Sequence, residues 1–160
     1  MEYEIIQYND SYKEQLIDFI LGIQKDEFEI QISREDQPDL ENVQSNYLDK
    51  GGQFWLAVNN NDKIIGCVAL VKLANNNAAL KKMFVNQDYR NLKIGKKLLD
   101  KVIITAKNNS IASIYLGTID KFVSAQHFYS NNGFTLIDKK DIPDDFPVMA
   151  VDNRYYMKNL

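Results

Sequence analysis

The sequence predicts a mixed α/β fold, with one central, mostly antiparallel sheet and helices on both faces. Three observations predict it. Strand-like and amphipathic runs alternate along the chain. Three strand-like runs in the middle are separated only by turn formers, as in an antiparallel meander. A long helical stripe of apolar residues then follows the third of them.

Taken in order, Tyr3 to Tyr8 has the composition of a short strand. Asp10 or Ser11 then suits an N-cap, and Leu16, Phe19, Ile20 and Ile23 follow helical spacing to an end near Phe28. Pro38 disfavours helix at Gln37, so a second short helix is expected from about Asp39 to Asp49, stopped by Gly51-Gly52. The meander comprises Phe54 to Val58, Lys63 to Lys72 and Ala78 to Val85, parted by Asn59-Asn60-Asn61-Asp62 and Asn75-Asn76-Asn77. Ile94, Leu98, Val102 and Ala106, flanked by Leu99 and Ile103, line one face of a long helix. A buried strand is expected over Ser113 to Thr118, and a helix over Val123 to Asn131 ending at Gly133, which takes the left-handed conformation readily. Thr135 to Asp138 and Val148 to Lys158 read as two closing strands.

At 160 residues the chain has the length of one domain, and no repeat, low-complexity tract or linker divides it. Hydrophobic residues at 45% and charged residues at 26% are globular values, which excludes a disordered or fibrous class. Apolar runs such as Ile64 to Val71 fall well short of the roughly 20 residues of a membrane helix. The acidic start Met1-Glu2-Tyr3-Glu4 is unlike a secretory signal, and Cys67 is the single cysteine, so a cytoplasmic location is expected and an internal disulfide is excluded. A net charge of −3 argues against nucleic acid as a partner. Charge is nevertheless uneven. Five of the 19 basic residues, Arg90, Lys93, Lys96, Lys97 and Lys101, fall with only one of the 22 acids in residues 90–101. Such a local patch suits a small, strongly anionic ligand.

That patch surrounds the start of the long helix. The first backbone N–H groups of a helix are unpaired and carry partial positive charge, so they hold phosphate without side chains, and Gly95 lets the backbone approach closely. A merely solvated helix face would give the same pattern, and spacing alone leaves both readings open.

"MFVNQDYRNLKIGKKLL" resembles the acetyl-coenzyme A loop of the GNAT superfamily of N-acetyltransferases, with Arg90 and Gly95 matching its pattern. "SAQHFYSNNGF", residues 124 to 134, resembles the later family motif, and the two stand in the family's order over most of the chain. The resemblance implies a GNAT-like fold, acetyl-coenzyme A as acyl donor and no metal. It implies cofactor contacts along Met83, Phe84 and Val85 and through Arg90, Asn91, Leu92, Lys93, Ile94, Gly95 and Lys96. It also implies that Tyr129 is the general acid for the departing thiolate. Lys93 departs from the pattern, standing where the family usually has glycine. Either the loop sits farther from the pyrophosphate, or the Lys ammonium replaces a backbone contact.

Other candidates are weaker. His127, the one histidine, points about 200° away from Tyr129 around a helix and reads as structural or exposed. Cys67 lies in an apolar strand and reads as core. An amine acceptor arrives protonated; Glu27, Glu29, Glu35, Asp36, Asp141, Asp144 and Asp145 are the candidates for the base, and Glu27, Glu35 and Asp36 are the residues expected to bind the acceptor. Carboxylates on surface loops also serve solubility alone.

The expected activity is transfer of an acetyl group to a primary amine, on a small molecule or a peptide, by direct attack in a ternary complex. The alternative is a non-catalytic module that binds or senses acyl-coenzyme A. A protein using this surface only for partner contacts comes third. No membrane or nucleic-acid partner is expected, and a homodimer is left open.

Overall fold

Strand β2 (Gln53–Asn59) shows how the core is divided. Trp55 and Ala57 enter one apolar cluster, whereas Phe54, Leu56 and Val58 enter another. Side chains of a pleated strand alternate between faces, so the sheet must be covered on both. The computed structural model describes residues 2–160, apart from the side chain of Asn91.

Seven strands form the sheet: β1 (Tyr3–Gln7), β2, β3 (Ile64–Lys72), β4 (Asn77–Val85), β5 (Ser113–Thr118), β6 (Thr135–Ile137) and β7 (Arg154–Asn159). Their spatial order is β1-β2-β3-β4-β5-β7-β6. Only the β4–β5 pair is parallel. Helix α1 (Lys13–Gly22) covers one face, where Leu16, Ile17 and Ile20 meet Phe54, Leu56 and Cys67. Helix α2 (Ile94–Asn108) covers the other, with Leu98, Leu99, Val102 and Ala106 fully buried against β2 to β5. Each buried leucine removes apolar surface worth about 1.5–3 kcal/mol. Helix α3 (Val123–Asn131) adds Tyr129 to that second cluster. Past its end, Gly133 has the expected left-handed backbone, at φ 88°.

Four details differ from expectation. The first helix is preceded by a short turn capped by Asn9, whose Oδ1 accepts from Ser11 N at 3.0 Å, so neither Asp10 nor Ser11 is the cap. It is extended by one π-helical turn, Ile23–Glu27. Between Asp39 and Asp49 there is no continuous α-helix, but a 3-10 turn, Pro38–Glu41, and a π turn, Gln44–Leu48. Asn42 lies between them in a non-helical conformation, and its Oδ1 accepts from Ser45 N. The burial of Leu40, Val43 and Tyr47 is nonetheless that of one helix face, which explains the expectation. Finally, the last strand begins at Arg154, because Asp152 N donates to Met149 O in a turn and Asn153 N donates to Thr118 O.

Candidate active site

The parallel pair β4–β5 holds together over a short distance only. Asn77 to Ala79 face Ser113 to Tyr115, and past that point the strands part. A bulge in β4 accompanies the divergence. Cys67 faces Phe84 and Ala69 faces Lys81, so Lys82 and Met83 together oppose Val68. Lys82 takes a left-handed backbone, φ 54°, at the bulge. The separated strands leave two cavities, which share Met83, Phe84, Phe122, Ala125 and Tyr129 as walls.

The larger cavity, about 390 Å³, runs from Tyr129 along Met83 to Val85 and ends among Arg90, Lys93, Gly95 and Lys96. One end is therefore basic and the other aromatic. Lys93, the residue before α2, has φ 60° and ψ 28°, the left-handed conformation glycine adopts without cost. The backbone shape that glycine serves is thus kept by a lysine. Arg90 donates through Nε to Val85 O at 3.2 Å and pairs through Nη1 with Glu27 at 2.6 Å. Phe28 packs against Phe122 on the cavity wall, the rings tilted by 59° with centroids 4.2 Å apart. A Cβ on Gly95 would lie 3.6 Å from Phe128 and 3.7 Å from the Met83 methyl, in ordinary contact but at the cavity's edge.

Seven of the ten residues expected at the cofactor lie on this cavity: Met83, Phe84, Val85, Arg90, Lys93, Gly95 and Lys96. Leu92 and Ile94 do not. Ile94 is fully buried in the core, and Leu92 packs on it while its carbonyl accepts from the Tyr3 hydroxyl. The side chain of Asn91 lies outside the described residues. Of the remaining basic residues, Lys97 sits over the Tyr3 ring, 5.2 Å from its centroid, and is absent from the cavity wall.

The smaller cavity, about 90 Å³, also has Tyr129 in its wall. Lys81 and Lys82 of β4, Gly117 and Thr118 of β5, and Asp152 of the preceding turn line it. Lys82 is well matched: its Nζ donates to Gln37 Oε1 at 2.7 Å and lies 3.5 Å from Asp39. Burial lowers the Lys82 pKa, against the pull of Asp39. Asp152 is shifted the other way, its carboxyl held above the usual range chiefly by burial, with Lys81 and Lys82 opposing.

Tyr129 is 5% exposed. It packs against Phe128, Phe134 and Tyr156, which fix its ring. Its hydroxyl donates to no group among the described residues, yet it is not an orphaned buried atom, so it opens onto the cavities. Burial first, and Asp152 second, push its pKa well above that of an ordinary tyrosine. The phenol therefore stays protonated and available as a donor throughout the neutral range.

The other expected residues lie elsewhere. Glu27 is occupied by Arg90, Asp36 accepts from Ser33 N and Oγ, and Glu35 lines neither cavity. Asp145 accepts from Ala74 N. His127 is exposed, and Cys67 is fully buried, its thiol pushed up to about 12 by burial. Among the described residues no cluster of His, Cys, Asp and Glu forms a metal site, and no helix is long and apolar enough to cross a membrane. Asp152 escaped the sequence reading altogether. Only its place beside the apolar run Val148 to Val151 marked it, and that run suggested a strand.

A model of the acetyltransferase (GNAT) family matches residues 17–134. The chain is 64% identical to a solved GNAT-family acetyltransferase from Staphylococcus aureus Mu50, covering 99% of both chains with a TM-score of 0.97. It shares its fold with the PaiA N-acetyltransferase from Thermoplasma acidophilum, solved in complex with coenzyme A. There the TM-score is 0.78 at 23% identity, over 100% of both chains. N-acetylaspartate synthetase from Xenopus tropicalis is 34% identical over 98 residues, which is 60% of this chain and 36% of that relative's length.

Proposed function

This chain belongs to the acetyltransferase (GNAT) family, and we propose that it moves an acetyl group from acetyl-coenzyme A to a primary amine by direct attack in a ternary complex. The observation that carries this reading is the position of Tyr129 on the wall between a long cavity with a basic mouth and a small charged one. The long cavity suits the donor. Its mouth offers Arg90, Lys93, Lys96 and the N-terminus of α2 to a pyrophosphate, while Met83 to Val85 lie alongside the path of the pantetheine arm. The small cavity then receives the amine.

In this reading the amine loses a proton and attacks the thioester carbonyl, the carbon–sulfur bond breaks, and the sulfur leaves towards the Tyr129 hydroxyl. A phenol of raised pKa is a weak acid but a constant hydrogen-bond donor. It stabilises the thiolate as charge develops, and the second proton, shed by the nitrogen as it becomes an amide, completes the thiol. A Cys67 thiol pushed up to about 12 and sealed in the core supplies no covalent route. The N-acetyl transfer in the name of the Xenopus tropicalis relative supports the same reaction class here.

The test is release of free thiol from acetyl-coenzyme A across a broad panel of amines. Release should depend on the amine and match the N-acetyl product one for one. Tight binding of acetyl-coenzyme A with no turnover on any amine would favour the sensing module instead.

A further inference from the structure

The small cavity carries three charged side chains, and they are not equally satisfied. Lys82 has Asp39 and Gln37. Lys81 Nζ has only the Pro147 carbonyl at 3.0 Å and the Phe146 ring at 5.7 Å, with no carboxylate within ion-pair distance among the described residues. Asp152 likewise has no cation within that distance. Burial works against the charge on each, and each feels the other without touching it. A partly buried charge without a partner is costly, and a ligand supplying the missing partner recovers that cost.

The pocket thus presents one unmatched cation and one unmatched anion on a small volume beside Tyr129. We infer that the acceptor is a small amino acid-like compound, whose ammonium group is received by Asp152 and whose anionic group is received by Lys81. The inference rests on the acetyl-transfer reading and adds the acceptor's chemical class. It also moves the recognising carboxylate from Glu27, Glu35 and Asp36, which are absent from this wall, to Asp152. Gly117 makes the placement possible: a Cβ there would lie 2.6 Å from Asp152 Oδ2. Asp152 then acts as the base. The ammonium gives one proton to the carboxylate, the freed nitrogen pair forms the bond to the acetyl carbon, the carbon–sulfur bond breaks, the second nitrogen proton goes to the departing sulfur beside Tyr129, and the proton on Asp152 passes to solvent.

The charged and titratable groups facing Asp152 are Lys81 and Lys82 from β4, Tyr129 from α3 and Tyr155 from β7. Activity should therefore fall on the acid side at a pH above the ordinary carboxylate range, as Asp152 takes up its proton.

The experiment compares α- and β-amino acids with their carboxamides, which keep the amine and lose the anion, and with a linear polyamine. Wild type should favour the acids. Lys81→Met should raise KM for the acids on the order of tenfold or more and leave the carboxamides nearly unchanged, erasing the discrimination. Asp152→Asn should lower kcat and abolish the acid limb of the pH profile. Gly117→Ala, whose Cβ would press on the Asp152 carboxylate at 2.6 Å and more lightly on the Tyr155 ring at 3.1 Å, should lower kcat without altering affinity for acetyl-coenzyme A. Carboxamides or polyamine used as well as the acids, or discrimination that survives Lys81→Met, would overturn the inference. If no amine is turned over, the transfer reading fails separately. Calorimetry of amino acid binding to the coenzyme A complex then decides: binding lost in Lys81→Met upholds the pocket's specificity, and no binding to wild type refutes it.

Discussion

Tyr129 owes its character to burial more than to any neighbouring charge. Phe134 and Tyr156 hold the ring, and the hydroxyl is left for a ligand. Tyr129→Phe keeps that packing, so folding and affinity for acetyl-coenzyme A should hold while turnover falls by about 10²-fold. Steady-state kinetics beside a binding titration checks this, and full activity in the mutant would remove the donor role. At this scale the sequence was informative where a residue sat in a motif. Arg90, Gly95 and Tyr129 all reach the larger cavity. The side chain of Ile94 is core, as its place in the apolar stripe of α2 implies, so only its backbone can serve the mouth. Asp152 was illegible because its neighbour in space, Gly117, is far from it in sequence.

The start of α2 behaves as a unit. Lys93 bends the backbone, Gly95 keeps the cavity edge clear, and Lys96 faces the mouth while Lys97 rests on Tyr3. Gly95→Val should fold, since a Cβ meets nothing closer than 3.6 Å, but should bind coenzyme A at least tenfold more weakly because it fills the space at the mouth. Charge reversal at Lys96 should weaken binding, most clearly at low salt, and the same change at Lys97 much less. Equal effects at Lys96 and Lys97, or unchanged affinity in a folded Gly95→Val protein, would take this end of the helix out of the site. Helix α2 and the meander were readable because their periodicities are long and clean. The bulge at Lys82 was not, because no glycine marks its left-handed backbone, and the segment over the smaller cavity was mistaken for strand because Val148 and Val151 are apolar yet 47% and 39% exposed.

For the whole molecule, the parting of β4 from β5 leaves two cavities that share Tyr129 as a wall, which the proposed function assigns to donor and acceptor. Under the proposed function that arrangement suits a single displacement, because each reactant would have its own cavity and, among the described residues, no cysteine thiol lines either one. The most direct measurement is a single turnover with acetyl-labelled coenzyme A, reading intact protein mass and product together. Without amine the chain should stay unlabelled, and with amine all label should pass to the N-acetyl product at the rate at which thiol appears. A labelled chain that forms without amine and then hands its acetyl group to one would contradict direct attack.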